Sequence, residues 1–160
     1  MRATALRTHV IAERERALFP RAAGRATGGL DLRCVIFAPR GDRILLVRHR
    51  RHPVYESSWT LPGGTLEYGR NPRDSAARIL QDQACVLPET MRLLGVQSSI
   101  EGDWVLTFQF EAAVAGDPTP GAGIAEVRLA PFAGGPAMDL HAAARTDLER
   151  YWIHEIAKTG

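Results

Sequence analysis

The stretch 61–86, LPGGTLEYGRNPRDSAARILQDQACV, decides the fold expected of this chain. A short strand, SWTL, runs into Gly63 and Gly64, and two glycines at such a place allow a sharp turn in which the backbone approaches a bound phosphate. A helix is predicted from Asn71, which is a good N-cap, and Pro72 suits the first helical position. The stretch therefore predicts a strand, a glycine turn, a loop and a helix.

One face of this helix carries the residues on which metal chemistry depends. Positions 79, 82 and 83 lie three and four residues apart, so they share a helix face. A site that hydrolyses a diphosphate gathers carboxylates there, because Mg²⁺ takes oxygen ligands and bridges phosphate oxygens. Ile79 has no side-chain lone pair, Gln83 offers only a neutral amide oxygen, and Asp82 is one methylene shorter than Glu. The face keeps one carboxylate.

The segments around this stretch predict further strands and a second helix. Strands with period-two or continuous apolar patterns are predicted at residues 30–37, 43–50, 91–100, 103–114 and 126–132. The first two are expected to form a hairpin, and the next two an antiparallel pair. Thr146 opens a capping box, TDLE, and is expected to start the C-terminal helix. The order indicates an α+β fold or a three-layer α/β/α sandwich.

Two parts of the chain are distinguished by pattern. Residues 30–160 are predicted to form one domain. Residues 1–29 precede it, and Leu6, Val10, Ile11 and Leu18 recur there at roughly helical intervals. This segment is predicted to be a short helix, or an arm that packs on a second subunit.

The stretch resembles the Nudix box, whose pattern is G-x5-E-x7-R-E-U-x-E-E-x-G-U, with U a bulky aliphatic residue. With Gly64 as the first glycine, the positions that match are Gly64, Arg78, Leu80 and Val86, and Glu67 and Gly69 fit residues that commonly accompany the box. The lead-in WTLPGG stands at 59–64. The resemblance covers about residues 30–133 and implies a Nudix fold, with a mixed β-sheet between helices.

The departures from the box fall on its functional positions. The box glutamates are replaced by Arg70, Ile79, Asp82 and Gln83, and its second glycine by Cys85. In the family, the glutamates corresponding to positions 79, 82 and 83 gather the metal with a backbone carbonyl of the glycine turn. The box is therefore degenerate. The resemblance implies a site with Mg²⁺, or Mn²⁺ in its place, that is weak or absent.

The resemblance assigns roles to particular residues. The catalytic candidates are Glu67, Arg78 and Asp82, and the metal candidates are the Gly63 carbonyl, Asp82 and Gln83. A further acidic group is expected to help, and the candidates for it are Glu67, Glu101, Asp103, Glu111 and Glu126. The alternative for Arg78 is an ordinary surface ion pair with Asp74 or Asp82.

A cationic rim for phosphate is predicted beside this site. Guanidinium and imidazole groups suit phosphate oxygens, and the expected members are Arg48, Arg50, Arg51, His52 and Arg70. The alternative is a solvated loop in a chain that uses arginine almost to the exclusion of lysine.

Composition limits the class of protein. The chain has 160 residues and a net charge of +2, which is too small to indicate general nucleic-acid binding. No apolar run is long enough to span a bilayer, and no export signal is evident, so a cytoplasmic protein without membrane partners is expected. Its two cysteines are expected to stay reduced. A homodimer is the oligomeric state that the family resemblance favours.

Two functions compete at this stage. The first is a Nudix-like hydrolase, weak or atypical, acting on a nucleoside diphosphate linked to another group. The second is a non-catalytic nucleotide-binding or regulatory protein that keeps the fold and a basic pocket. Both expect a nucleotide-type small molecule as the partner. A purely structural role is supported only by the N-terminal arm.

Overall fold

A computed structural model describes residues 29–55, 57–132 and 138–159, so the predicted N-terminal helix or arm lies outside the described residues. The strands are β1 Leu30–Phe37, β2 Pro39–Arg40, β3 Arg43–His49, β4 Trp59–Thr60, β5 Gly63–Thr65, β6 Pro88–Glu101, β7 Asp103–Val114 and β8 Ile124–Pro131, and the helices are α1 Pro72–Ala84 and α2 Ala142–Thr159.

The strands form two sheets. In the first, the order is β5-β1-β7-β6, and β1 runs parallel to β7 while the other pairs are antiparallel. In the second, β3 pairs with β2, β4 and β8, all antiparallel. The predicted pairing of β6 with β7 is confirmed, with the hairpin closing at Glu101 and Asp103.

The predicted hairpin between the first two strands is wrong. Only its tip exists, where Pro39 of β2 pairs with Ile44 of β3. β1 instead lies between β5 and β7. In LDLRCVIF apolar and charged residues alternate at first and an apolar run follows, and neither pattern identifies the partners of a strand.

Apolar residues are buried on both sides of the sheets. On one side, Ala76 and Leu80 of α1 pack in a cluster with Ile36 and Phe110. On the other, Tyr151 of α2 packs with Phe37 and other residues of a second cluster. The molecule is therefore an α+β fold with mixed sheets between two helices, as predicted. Among the described residues no helix is long and apolar enough to cross a membrane.

The two helices differ in how well the sequence predicts them. α1 begins as expected, because the Asn71 side chain accepts a hydrogen bond from the Arg73 amide at 2.8 Å and Pro72 opens the helix. The predicted start of α2 at Thr146 is wrong. The Arg145 amide already bonds to the His141 carbonyl, and the Thr146 hydroxyl donates to the Ala142 carbonyl inside the helix. A TDLE motif also occurs within helices, where no free N–H groups need a cap.

Both cysteines are free thiols, as expected of reduced cysteines. Cys34 is buried in β1, and desolvation raises its pKa to about 12, so it is inert as a nucleophile. Cys85 is exposed at the C-terminal end of α1, where its backbone adopts the left-handed conformation, φ 54°.

Candidate functional site

The two glycines lie in an extended strand rather than a turn. Gly63 and Gly64 belong to β5, and neither has a positive φ. Gly63 is required for a different reason: a Cβ atom there would lie 2.7 Å from the Cys34 carbonyl oxygen of β1. The glycine thus allows β5 to lie close to β1. In this position the N–H and C=O groups of Gly63 face α1.

Gln83 of α1 makes a paired hydrogen bond with Gly63. Its Oε1 accepts from the Gly63 amide at 3.2 Å, and its Nε2 donates to the Gly63 carbonyl at 2.8 Å. The amide orientation follows from this pairing, because a donor and an acceptor on Gly63 meet an acceptor and a donor on Gln83. The carbonyl predicted to ligate a metal therefore already accepts a hydrogen bond from an NH₂ group.

Ile79 continues this contact one turn earlier in α1. Its Cδ1 lies 3.5 Å from the position that a Cβ on Gly64 would take. Positions 79 and 83 thus both face β5, and both present uncharged groups to it. Asp82 behaves differently: its carboxylate is 64% exposed and lies 3.5 Å from Nε of Arg78 on the helix surface.

Arg78 links the remaining acidic groups. Its Nη1 lies 3.4 Å from Glu67, and Glu67 also forms an ion pair with Arg70. With Asp82, the four side chains form a row of ion pairs in the order Arg70, Glu67, Arg78, Asp82. All four side chains are roughly half exposed, so each pair is screened by water and adds little to stability. Of the two partners considered in the alternative for Arg78, the structure shows Asp82, and Glu67 is a second partner. The catalytic role of Arg78 stays a prediction.

The basic residues of β3 and the following loop occupy a separate place. Arg48 donates to Glu126 at 3.0 Å and its guanidinium lies 5.6 Å from the ring centre of Trp59. Arg50 donates to the Ile124 carbonyl at 3.2 Å. Arg51 is exposed, and Arg70 lies with Glu67 near α1 instead.

A cluster of rings surrounds His52, which belongs to the predicted rim. Its Nδ1 accepts from the Val54 and Tyr55 amides, and its ring stacks on Tyr55 at 4.3 Å. His49 lies 5.0 Å from His52, and burial, aided by the charge of His52, lowers the pKa of His49. The ring of His141, the residue just before α2, lies 5.0 Å from the ring of Tyr55. Sequence reasoning missed His141, since no local pattern links it to residue 55.

The other acidic helpers are engaged elsewhere. Glu111 accepts hydrogen bonds from Arg92 and from Tyr151 of α2. Glu126 is held by Arg48 and Arg128, and Asp103 accepts from the Gly29 amide. Both glutamates lie on the sheet faces opposite α1, because their neighbours Phe110 and Val127 pack with α1. The side chain of Glu101 lies outside the described residues.

The loop between β7 and β8 closes the C-terminal end of α1 with backbone groups. The Thr119 amide donates to the Ala84 carbonyl and the Gly121 amide to the Gln83 carbonyl, each at 3.0 Å. A Cβ on Gly121 would lie 1.7 Å from the Asp82 carbonyl oxygen, so only glycine fits there. This loop reaches α1 as a capping element.

The donor set beside Gly63 does not fit a divalent cation. Ile79 supplies no ligand, and the Gln83 Nε2 hydrogens point at the carbonyl oxygen that would bind the metal. In the part of the chain that the structure describes, no three His, Cys, Asp or Glu side chains are grouped so as to hold a metal ion.

Comparisons with known proteins identify relatives of this arrangement. A family model described as "NUDIX domain" matches residues 30–150. An ADP-ribose pyrophosphatase of Methanocaldococcus jannaschii is 30% identical over 64 residues, which is 40% of this chain and 37% of that protein. The chain thus spans little more than a third of the length of this curated relative.

Solved structures share the fold. A MutT NUDIX hydrolase of Burkholderia pseudomallei has a TM-score of 0.67 and 23% identity, covering 76% of this chain and 97% of that one. The NUDIX domain of Shewanella oneidensis NrtR, solved in complex with ADP-ribose, has a TM-score of 0.64 and 22% identity, covering 89% of this chain and 97% of that one.

Proposed function

We propose that this chain, which belongs to the NUDIX domain family, binds a nucleoside diphosphate derivative of the ADP-ribose type without metal-dependent hydrolysis. The observation that carries the proposal is the paired hydrogen bond between Gln83 and Gly63. A glutamate at this position would face the Gly63 carbonyl with like partial charge, and a cation between them would relieve the repulsion. The Gln83 amide makes the contact without a cation.

The charge of the site supports binding of an anion without metal. Compared with the Nudix box, Arg70, Ile79 and Gln83 together remove three negative charges and add one positive charge. In a metal-dependent site, bound cations offset the charge of the box glutamates and of the diphosphate. Here the substituted side chains reduce the negative charge of the site without a cation. A diphosphate therefore meets Arg70 and Arg78 with fewer carboxylates to repel it.

The ligand class is taken from similar proteins. An ADP-ribose pyrophosphatase and a NUDIX domain in complex with ADP-ribose are both among the relatives of this chain. ADP-ribose is a nucleoside diphosphate linked to a further sugar, which is the class that the sequence predicted. It is therefore the first probe to use.

Calorimetric titration of the full chain with ADP-ribose, in EDTA and in excess Mg²⁺, tests the proposal. We expect the two dissociation constants to agree within about twofold, since no ligand contact passes through a metal. No AMP should be released in either buffer. Binding that appears only with Mg²⁺ or Mn²⁺ would contradict the proposal.

A triple variant provides the complementary test. Arg70→Glu, Ile79→Glu and Gln83→Glu together restore the box acids, and we expect ADP-ribose binding to become dependent on Mg²⁺. Gln81→Glu is the matched control, because Gln81 lies on the exposed surface of α1. If the triple variant binds ADP-ribose as the wild type does, in both buffers, α1 does not face the ligand.

A weak hydrolase is the second candidate, and the chain Glu67–Arg78–Asp82 favours it. These carboxylates are ion-paired but roughly half exposed, so water and a loosely held cation can reach them. This candidate predicts AMP release with Mn²⁺ that is abolished in both Glu67→Gln and Asp82→Asn. Such a result would replace the binding proposal.

A further inference from the structure

The turn that follows β3 is closed by an imidazole ring. The Nδ1 atom of His52 accepts a hydrogen bond from the Val54 amide at 3.1 Å and a second from the Tyr55 amide at 3.3 Å. Because both partners are N–H donors, the proton of the neutral ring lies on Nε2 and the lone pair on Nδ1. The turn at residues 52–55 therefore uses a titratable side chain as the acceptor that an aspartate or asparagine supplies in many turns.

A proton on Nδ1 of His52 removes this acceptor. The charged imidazole is a donor at both nitrogens, so its new N–H group would point at the Val54 and Tyr55 amides, neither of which can accept it. Both hydrogen bonds are then lost together. Because the two bonds exist only with a neutral ring, the closed turn and the charged imidazole exclude each other.

The rings packed around His52 also disfavour positive charge. The ring centre of His49, at the end of β3, lies 5.0 Å from that of His52 and 5.3 Å from that of Tyr55, and Tyr55 stacks on His52 at 4.3 Å. Burial, followed by the charge of His52, lowers the pKa of His49. His141 lies against Tyr55 from the segment before α2, and its buried Nδ1 atom finds no hydrogen-bond partner in the described part of the chain. Three imidazoles thus surround one tyrosine ring, which we call the imidazole cluster.

The charged side chains on the neighbouring elements do not compensate a positive ring. They are Arg48, Arg50 and Arg51 on β3 and the loop after it, Glu126 on β8, and Asp139 before α2. Glu126 pairs with Arg48 and Arg128, and Asp139 accepts from the Ser58 hydroxyl at 3.5 Å. The causes that act on the pKa of His49 are burial and His52, and neither is a carboxylate. Among the described residues, a proton would therefore be added beside arginines, with no carboxylate paired to any of the three rings.

We propose that residues 52–55 form an acid-sensitive turn, closed while the imidazole of His52 is neutral and open when its Nδ1 atom binds a proton. The direction follows from linkage, because the state that binds the proton less well loses stability as the pH falls. His49 contributes in the same direction. Since its pKa is lowered in the closed cluster, its contribution is fully present above the ordinary value of 6.5 and is lost as the pH falls below it.

Opening of the turn would act on part of the predicted phosphate rim. His52 belongs to that rim, and Arg51, which is exposed, directly precedes it. Arg50 stays fixed, because its amide bonds to the Gly123 carbonyl at 2.9 Å and its side chain to the Ile124 carbonyl. The change is therefore confined to the loop after Arg50. The inference does not depend on the proposed function, since the turn can be followed without any ligand.

Hydrogen exchange of the Val54 and Tyr55 amides tests the proposal, measured by NMR on the full chain from about pH 7.5 to about pH 5, the range in which histidine titrates. In the wild type, we expect the protection factors of both amides to fall about two- to tenfold as His52 becomes protonated, the range expected for the loss of one backbone hydrogen bond.

His52→Asn is the matched variant, because an asparagine side-chain oxygen accepts from the N–H group two residues on and does not titrate. Its protection factors should stay constant within about twofold over the same range. His154→Asn is the control, at an exposed histidine of α2, and it should respond as the wild type does.

Three outcomes would overturn the proposal. Equal loss of protection in the wild type and in His52→Asn would mean that another group controls the turn. Protection that stays constant in the wild type while its imidazole signals show His52 becoming charged would mean that the charged ring fits the closed turn. The third outcome needs no variant: imidazole ¹⁵N shifts that place the proton of neutral His52 on Nδ1 would contradict the two hydrogen bonds on which the inference rests.

Discussion

At the scale of single residues, Gln83 is the side chain on which the proposed metal-free site depends. An amide can donate to a carbonyl and accept from an N–H group at once, whereas a carboxylate can only accept. Gly63 presents one N–H group and one C=O group to Gln83 of α1. The chemistry of one side chain therefore decides whether this contact needs a cation.

Gln83→Glu should lower the free energy of unfolding by about 1–3 kcal/mol in EDTA, because the Gly63 carbonyl loses its partner and faces a carboxylate. Mg²⁺ should recover part of this loss, up to about 2.7 kcal/mol at a concentration 100 times its dissociation constant. Urea unfolding with and without Mg²⁺ measures both effects. Gln81→Glu is the control, and an equal response of the two variants would contradict the role given to Gln83.

Cys85 stores a small amount of backbone strain. Its φ of 54° lies in the left-handed region, which costs a residue with a side chain about 1–2 kcal/mol relative to the right-handed helix. Cys85→Gly should raise the free energy of unfolding by about 0.5–1 kcal/mol once the greater chain entropy of glycine is subtracted. Thermal unfolding of the variant and of the wild type measures this gain in stability. Cys85→Ala removes the thiol but keeps the strain, so a gain in that variant would count against the explanation.

At the scale of elements, a partly buried polar contact joins α2 to the first sheet. The Tyr151 hydroxyl donates to Glu111 at 2.6 Å, and the Tyr151 ring stacks on Phe37. Burial alone would raise the pKa of Glu111, but hydrogen bonds from Tyr151 and Arg92 lower it below its ordinary value. The contact therefore favours the charged carboxylate.

Tyr151→Phe keeps the ring and removes this hydrogen bond, so it should cost about 1–2 kcal/mol near neutral pH. Because the pKa of Glu111 is lowered in the folded state, its contribution is present above the ordinary value of 4.5 and is lost as the pH falls through the lowered value. The difference between variant and wild type should therefore shrink in acid. Urea unfolding across this range measures it. The control is Tyr68→Phe, at a tyrosine that is 94% exposed, and a difference that grew in acid would contradict the assignment.

At the scale of the whole molecule, the sandwich separates residues that the sequence places together. Arg48 was grouped with Arg70 in one rim, yet Arg48 lies over Trp59 and beside Glu126, on the face opposite α1. Arg70 lies with Glu67 on the side of α1. That Arg48 and Arg70 both bind phosphate stays a prediction.

The sequence alone predicted the features that depend on near neighbours. These are the capped start of α1, the β6–β7 hairpin, and a helix face at 79 and 83 without carboxylates. Helical period, turns and caps are set by residues a few positions apart, and they can be read locally. The resemblance to the Nudix box supplied the fold class.

Only the tertiary structure decided which distant groups meet. It placed β1 beside β7 instead of β3, brought His141 to Tyr55, and set the Gln83 amide against the Gly63 peptide groups. Strand partners and side-chain contacts across elements depend on the packing of the whole chain, which no local pattern encodes. The sequence thus determined that the carboxylates are missing, and the packing decided that an amide hydrogen bond takes the place of one of them.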